Sequence, residues 1–449
     1  MSCCSFATRN LWQWVLVINS LWLELLSQYK CLFVGFSGGL DSTVLLHNLA
    51  IHPILKSKLI AVHVNHGLSP NALRWQSHCQ TFTKQLGVRL TIKSVDFGRL
   101  ANIEEEARKA RYKAFATELE SEDCLILGHH LDDQAETLLL QLFRGAGVDG
   151  LSAMPAQKEF AGASLLRPFL EYSRQTLENY AKAHHLEWIN DESNQNMDFS
   201  RNYLRLKILP EIDSRWPDVA KNLVRTTKHC QQAQSNLEAL AKLDCPSLNR
   251  PTSVLPLASL CDLETGRLSN VIRFWFKLNQ VKVPDTKTFN CFIKELIQVR
   301  EDASPKIIWK GNCVRRYQQN LYLTKVEEPV LFKPLIWSDF PRTLSIAGLG
   351  QLNVIKANHG LLVPELSQIE IRFRQGGELF CWHGQQKQLK KLFQEWKVPP
   401  WLRDRIPLLY INDQLALVVG YAISDYFYGE TTAKFEAFEL VLTAKPFIK

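Results

Sequence analysis

Short, almost wholly apolar runs recur along the first half of the chain, each cut off abruptly by polar residues. Positions 31–36 read CLFVGF, 58–66 KLIAVHVNH, 88–95 VRLTIKSV, 123–128 DCLILG and 165–170 LLRPFL. Runs this short and this continuous predict buried strands. Between them lie stretches of helical periodicity, from Thr43 onward, over 72–86, over 103–118, and from a capping Ser173 to Ala183. Strand and helix in alternation predict an α/β domain with a Rossmann-like parallel sheet over residues 1–215. Past Pro210 the pattern becomes helical at 219–243, 265–277 and 286–300, with alternating, strand-like positions at 306–322. A mainly helical middle domain over 216–328 follows from this. A proline-bearing linker at 329–341 leads into short strands and one basic helix, 386–395. That predicts a small α+β domain over 340–449. The apolar stretch 11–26 is broken by Gln13, Asn19 and Glu24. It is too short and too polar for a membrane span and reads as an amphipathic helix packed on the sheet.

The break after the first strand, Ser37-Gly38-Gly39-Leu40-Asp41-Ser42, changes this picture most. Glycines reach backbone angles that other residues avoid and let a ligand approach the main chain. The N–H groups of such a turn and of the first helical turn converge, and with the helix dipole they attract an anion. Ser37 and Ser42 add hydroxyls. Asp41 repels a phosphate unless a cation lies between them, which predicts Mg²⁺ there. No Gly-x-x-x-x-Gly-Lys-Ser/Thr occurs, so no lysine is aimed at terminal phosphates.

A second polar cluster follows the strand at 123–128. On a helix His129, Asp132, Asp133 and Glu136 share one face. Three carboxylates together repel unless a cation joins them, so this face predicts a site for Mg²⁺ or for an ammonium group. His63, Asn65 and His66 gather at the end of the second strand, where an open α/β sheet has its ligand crevice. Arg201 and Arg205 stand one helical turn apart and are spaced to grip phosphate. Residues 144–151, RGAGVDGL, form a glycine-rich loop suited to covering a site.

Charge and cysteine usage narrow the class. The net charge of +8 is mildly basic and points to nucleic acid only weakly. Eleven cysteines are scattered without Cys-x-x-Cys or zinc spacing, which predicts reduced thiols and a cytoplasmic home. Near the C-terminus Lys387, Lys390 and Lys391, with Trp382, Trp396, Trp401, Arg403 and Arg405, read as a basic and aromatic surface for RNA phosphates.

The loop at 37–42 resembles the PP-loop of the N-type ATP pyrophosphatases, which cut ATP between its α and β phosphates. The ordered set SGGLDS at Ser37, HHLDDQAET at His129, RGAGVDGLSAM at Arg144, DESN at Asp191 and RNYLRLKILP at Arg201 resembles the tRNA(Ile)-lysidine synthases over about the first 210 residues. RFRQGGE from Arg372, LKKLF from Leu389 and VPPWLR from Val398 extend the likeness. The resemblance implies ATP-dependent ligation of free L-lysine to C2 of the wobble cytidine of a CAU-anticodon isoleucine tRNA. The route runs through an adenylated cytidine and yields lysidine, AMP and diphosphate, changing codon reading from AUG to AUA.

By the same resemblance Ser37, Gly38, Gly39, Leu40, Asp41 and Ser42 cradle the diphosphate, and Asp41 and Asp133 hold Mg²⁺. Asp133 and Glu136 hold or deprotonate lysine, and Arg108 and Arg201 steady the adenylate. Contacts to tRNA are implied for Arg205, Lys387, Lys390, Lys391 and Arg403, in a chain with no membrane association and a homodimeric assembly. The thiolases of the superfamily rely on paired cysteines, and its amidotransferases on a glutaminase nucleophile. Neither signature is present.

Overall fold

Each apolar run becomes a strand whose successive side chains enter opposite layers. β1 (Leu32–Gly35), β2 (Leu59–Asn65), β3 (Arg89–Ser94), β4 (Cys124–Ile126), β5 (Gln157–Phe160) and β6 (Ala163–Leu166) form one sheet in the order β3-β2-β1-β4-β6-β5. All neighbours are parallel except the β5–β6 pair at the edge. Leu32, Val34, Ala61, Cys124 and Ile126 enter one core, while Phe33, Val62, Leu125 and Leu165 enter the other. Helices cover both faces, so alternate positions are all apolar and the runs are continuous.

This computed structural model describes residues 18–67, 70–96, 103–297, 305–326, 332–432 and 436–444. The chain divides into two compact units, Met1–Leu237 and Glu238–Lys449. In the first, α1 (Ser20–Ser27), α2 (Leu40–Ala50), α3 (Pro53–Lys56) and α4 (Ala72–Leu86) pack on one face of the sheet, and α5 (Ile103–Ala116) packs on the other through Tyr112 and Phe115. α6 (Leu131–Phe143) follows β4, and α7 (Val148–Leu151) is a single turn within the glycine-rich stretch. α8 (Arg174–Ala183) returns to the first face with Leu177, Tyr180 and Ala181. α9 (Ser200–Tyr203) runs on through a π turn, Leu204–Ile208, into a further helix, Leu209–Arg215.

The second unit holds a four-stranded antiparallel sheet from 254–325, packed with the helices Thr265–Leu278 and Thr286–Phe292 around Trp275, Phe276, Phe292 and Trp309. Two five-stranded antiparallel sheets and a short hairpin complete it. No described helix is long and apolar enough to cross a membrane.

Some boundaries differ from expectation. The strand expected over 165–170 stops at Leu166, because Pro168 has no N–H to extend the ladder. The basic helix expected over 386–395 begins only at Leu389; Gln385–Gln388 is a strand paired with Leu379–Trp382. Residues 11–17 of the apolar N-terminal stretch, 298–300 of an expected helix and 329–331 of the expected linker lie outside the described residues.

Candidate active site

The strand order reverses direction between β1 and β4, and at such a switch point two βα loops part to leave a crevice. One is the 37–42 loop. Gly38 has φ +83°, and a Cβ there would lie 2.6 Å from Ile189 Cδ1 and 3.0 Å from Cys79 Sγ, so only glycine fits. Ile189 N–H donates to Gly38 C=O at 2.8 Å and pins the turn from outside. Within the loop Ser42 Oγ accepts from Ser37 N–H at 3.2 Å and donates to Gly39 C=O at 3.1 Å. The two serine hydroxyls are 3.1 Å apart. Gly39 caps α2 without a side chain, so the first amides of that helix open onto the same spot as the loop.

The second loop, 127–130, comes from β4. A Cβ on Gly128 would lie 2.9 Å from Asp41 C=O, so the two loops touch main chain to main chain. His130 caps α6, and its N–H donates to Asp133 Oδ2 at 3.0 Å. Its imidazole Nε2 lies 3.7 Å from Asp41 Oδ2 and 3.5 Å from Asp133 Oδ2, and Nδ1 lies 3.3 Å from Asp132 Oδ2. Burial opposes a charge on His130, but these three carboxylates outweigh it and raise its pKa. Asp132 Oδ2 also accepts from Arg174 N–H at 2.8 Å, at the start of α8.

Asp133 and Glu136 meet cations supplied by the chain itself. Arg201 Nε donates to Glu136 Oε2 at 2.6 Å and Nη2 to Asp133 Oδ1 at 3.0 Å. Arg205 Nε donates to Glu136 Oε1 at 2.6 Å and Nη2 to Glu136 Oε2 at 2.9 Å. The Glu136 side chain is wholly buried, whereas the arginines keep 24% and 25% exposure, so solvent meets the guanidinium groups first. Burial resists ionisation of Asp133, yet His130 and Arg201 hold its pKa down to about 2.

The expected single acidic face is therefore divided. His129 precedes the helix, Asp132 serves α8, and Asp133 with Glu136 is neutralised by Arg201 and Arg205. Arg205, expected at the tRNA, stands in this cluster. Arg108 lies over the Tyr112 ring at 5.0 Å. His63 is committed to Phe36 C=O at 3.0 Å, within the core.

Mg²⁺ fits one of its two expected carboxylates. Asp41 Oδ1 is buried with no hydrogen-bond partner among the described residues, and burial pushes the Asp41 carboxyl above its usual range. A bound cation would satisfy that oxygen and reverse the shift. Both Asp133 oxygens are already engaged, Oδ1 by the arginines and Oδ2 by His130 N–H. No described cluster of three or more His, Cys, Asp or Glu side chains has metal-binding geometry.

In the second unit Lys390 and Lys391 are exposed, and Lys387 pairs with Glu395 at 3.1 Å. Arg403, expected on the same surface, is buried. Its Nε donates to Val398 C=O at 2.9 Å and its Nη2 to Tyr317 OH at 3.3 Å. It braces the fold through these two contacts inside the unit. Trp396 packs edge to face with Trp382, Phe380 and Phe393 and stacks on Tyr421.

Sequence reasoning passed over Arg174, whose Nη1 lies 3.8 Å from Asp41 Oδ2, and Arg167, which donates to His129. Neither belongs to a motif. The doubled histidine at 129–130 was the available signal, since His130 meets Asp41 and His129 accepts from Arg167.

A glycine-built anion loop at the switch point of a parallel sheet, facing acidic and basic side chains, defines a PP-loop ATP-using enzyme. The PP-loop domain family matches residues 16–212, the TilS substrate binding domain 255–322 and the TilS substrate C-terminal domain 369–437. Among curated relatives, the tRNA(Ile)-lysidine synthase of Legionella pneumophila (strain Paris) is 53% identical over 95% of this chain and 98% of its own length. The enzymes of the same name from Coxiella burnetii and from Enterobacter sp. (strain 638) are each 39% identical, over 88% and 87% of this chain and 89% and 93% of their own lengths. The chain belongs to the tRNA(Ile)-lysidine synthase family, and it is a ligase.

Proposed function

We propose that this enzyme joins free L-lysine to C2 of the wobble cytidine in an isoleucine tRNA with a CAU anticodon, using ATP. The C2 oxygen of cytosine is a poor leaving group. Attack of that oxygen on the α-phosphorus of ATP forms an O–P bond, breaks the α–β bridge and releases diphosphate. The lysine ε-amine then attacks C2, AMP departs with the oxygen, and the amine proton is lost. The observation that carries this reading is the contact of Asp41 in the anion loop with Gly128 and His130, which supports a diphosphate cradle beside Asp133 and Glu136.

The residues divide as follows. Backbone N–H groups from Gly38 to Ser42 and the two serine hydroxyls take the departing diphosphate. Mg²⁺ held by Asp41 would supply positive charge to the phosphates. Arg108 and Arg201 grip the α-phosphoryl group. Asp133 and Glu136 hold the lysine ammonium and later take its proton.

The last role requires movement. Arg201 and Arg205 cover the carboxylates. A guanidinium binds phosphate as readily as carboxylate, in the same forked geometry. ATP therefore draws the arginines aside, and the carboxylates become open to lysine afterwards. This orders the substrates, nucleotide before amino acid. The exposed Lys390 and Lys391 contribute phosphate contacts to tRNA.

The test is product analysis with ATP, lysine and CAU-anticodon isoleucine tRNA. AMP and diphosphate should form in step with a lysine-sized mass increase on one cytidine. Formation of ADP and phosphate in place of AMP would refute the reading.

A further inference from the structure

His129 belongs to neither half of the carboxylate–guanidinium cluster, and the roles above leave it unused. It comes one residue after Gly128, the point at which the β4 loop touches the Asp41 backbone. Arg167 Nε donates to its Nδ1 at 3.2 Å. A guanidinium carries its protons at all working pH values and accepts none. The Nδ1 lone pair is therefore taken by a donor, and the single ring proton must sit on Nε2. No described residue accepts from that Nε2–H.

Arg167 is itself immobilised. It is buried, its Nη1 donates to Pro155 C=O at 2.8 Å, and it hydrogen-bonds Tyr112. Tyr112 in turn accepts from Arg108 Nη2 at 3.5 Å. A chain of contacts thus ties α5, the end of β6 and the end of β4 to one ring orientation. The charged groups facing His129 are Asp133 from α6, Arg167 beyond β6, Arg201 from α9 and Arg108 from α5. Burial and the three guanidinium groups, opposed only by Asp133, lower its pKa to about 3. The ring stays uncharged throughout the working range.

We propose that His129 is a fixed hydrogen-bond donor, through Nε2–H, to the α-phosphoryl oxygens of ATP and of the adenylated base, and that Arg167 is the positioning residue that sets its tautomer. This rests on the function proposed above. His129 adjoins Gly128, which meets the Asp41 main chain at the cradle, and Arg108 and Arg201 are among the charges that act on it. A neutral donor adds no net charge to a site already rich in guanidinium. It aligns with the oxygen on which negative charge grows as the bridge bond breaks.

The experiment compares the full-length enzyme with His129→Ala, His129→Gln and Arg167→Met. It measures single-turnover adenylation, KM for ATP, tRNA affinity and imidazole ¹⁵N shifts. The expected result is a fall of about a hundredfold in adenylation rate for His129→Ala, with tRNA affinity unchanged. His129→Gln, whose amide N–H reaches the Nε2 position, should recover roughly tenfold of that loss. In the wild type the ¹⁵N shifts should report the Nε2–H tautomer, and in Arg167→Met that signature should be lost together with rate.

A His129→Ala enzyme with the wild-type adenylation rate would overturn the inference. So would a glutamine variant no better than alanine, or an Nδ1–H tautomer in the wild type. Where the alanine variant does not fold, the glutamine variant and the ¹⁵N shifts decide alone. A wild-type enzyme that forms no AMP strikes the function itself, whereas an active wild type with an indifferent His129 strikes only this inference.

Discussion

Arg201 and Glu136 are joined by a 2.6 Å hydrogen bond that closes a carboxylate with no solvent exposure of its own. Arg205 bonds the other oxygen of the same carboxylate at 2.6 Å. Asp133 shares the same two guanidinium groups, so the four charges balance, and the forked donors match a phosphate as well as a carboxylate. Lysine should then bind measurably only when a non-hydrolysable ATP analogue is present. Calorimetric titration of lysine with and without the analogue checks this, and equal affinity in both would sink the proposed order of binding.

Glu136→Gln keeps the shape of the cluster and removes its central charge. The kcat/KM for lysine should fall about a hundredfold, while KM for ATP changes by less than about threefold. Glu136→Ala leaves the two arginines without their carboxylate and should cost about 3 kcal/mol of stability by denaturant titration.

Asp41→Asn removes the carboxylate charge whose Oδ1 is buried without a hydrogen-bond partner among the described residues. Diphosphate release should fall by at least about a thousandfold and the Mg²⁺ dependence of the remainder should flatten. Affinity for tRNA should stay within about twofold, since tRNA binding draws mainly on phosphate contacts elsewhere. The thermal midpoint should hold or rise, because burial disfavours the ionised Asp41.

Burial, with Arg111 and His63 nearby, lowers the His66 pKa from 6.5 to about 4. Between those values the unfolded chain binds the proton and the folded one does not. Stability therefore falls as pH drops through that window and levels off below it. His66→Gln removes this contribution, so chemical denaturation should show a smaller loss from pH 7 to pH 5 in the variant than in the wild type.

Reversing Lys390 and Lys391 to glutamate should weaken tRNA binding and reduce the slope of log affinity against log salt by about 2. Arg403→Met should leave that slope unchanged and lower the melting temperature, because this guanidinium binds Val398 and Tyr317 inside the unit.

How much of this was legible followed from how local each feature is. An anion cradle made of consecutive amides is written in consecutive residues, so Ser37 to Ser42 could be read directly. The sheet was equally plain, because burial on both faces leaves an unbroken apolar run such as 58–66. The partners of the site were not plain. Arg201 reaches Glu136 across 65 positions and Arg403 reaches Tyr317 across 86, and no periodicity encodes such distances. Asp133 and Glu136 were visible as a pair in need of a cation, and the residues that supply it were visible too, but as phosphate ligands. The strand at Gln385–Gln388 was hidden because its pairing with Leu379–Trp382, rather than its own basic character, decides its conformation.

The capped state of Asp133 and Glu136 has a consequence for an enzyme between turnovers. Acidic residues already satisfied from within the chain have nothing to offer a passing polyamine or a stray divalent ion. On the proposed sequence of events, the resting enzyme is blind to the cell's pool of small amines. It becomes receptive only for as long as a nucleotide is in place to hold the two arginines away.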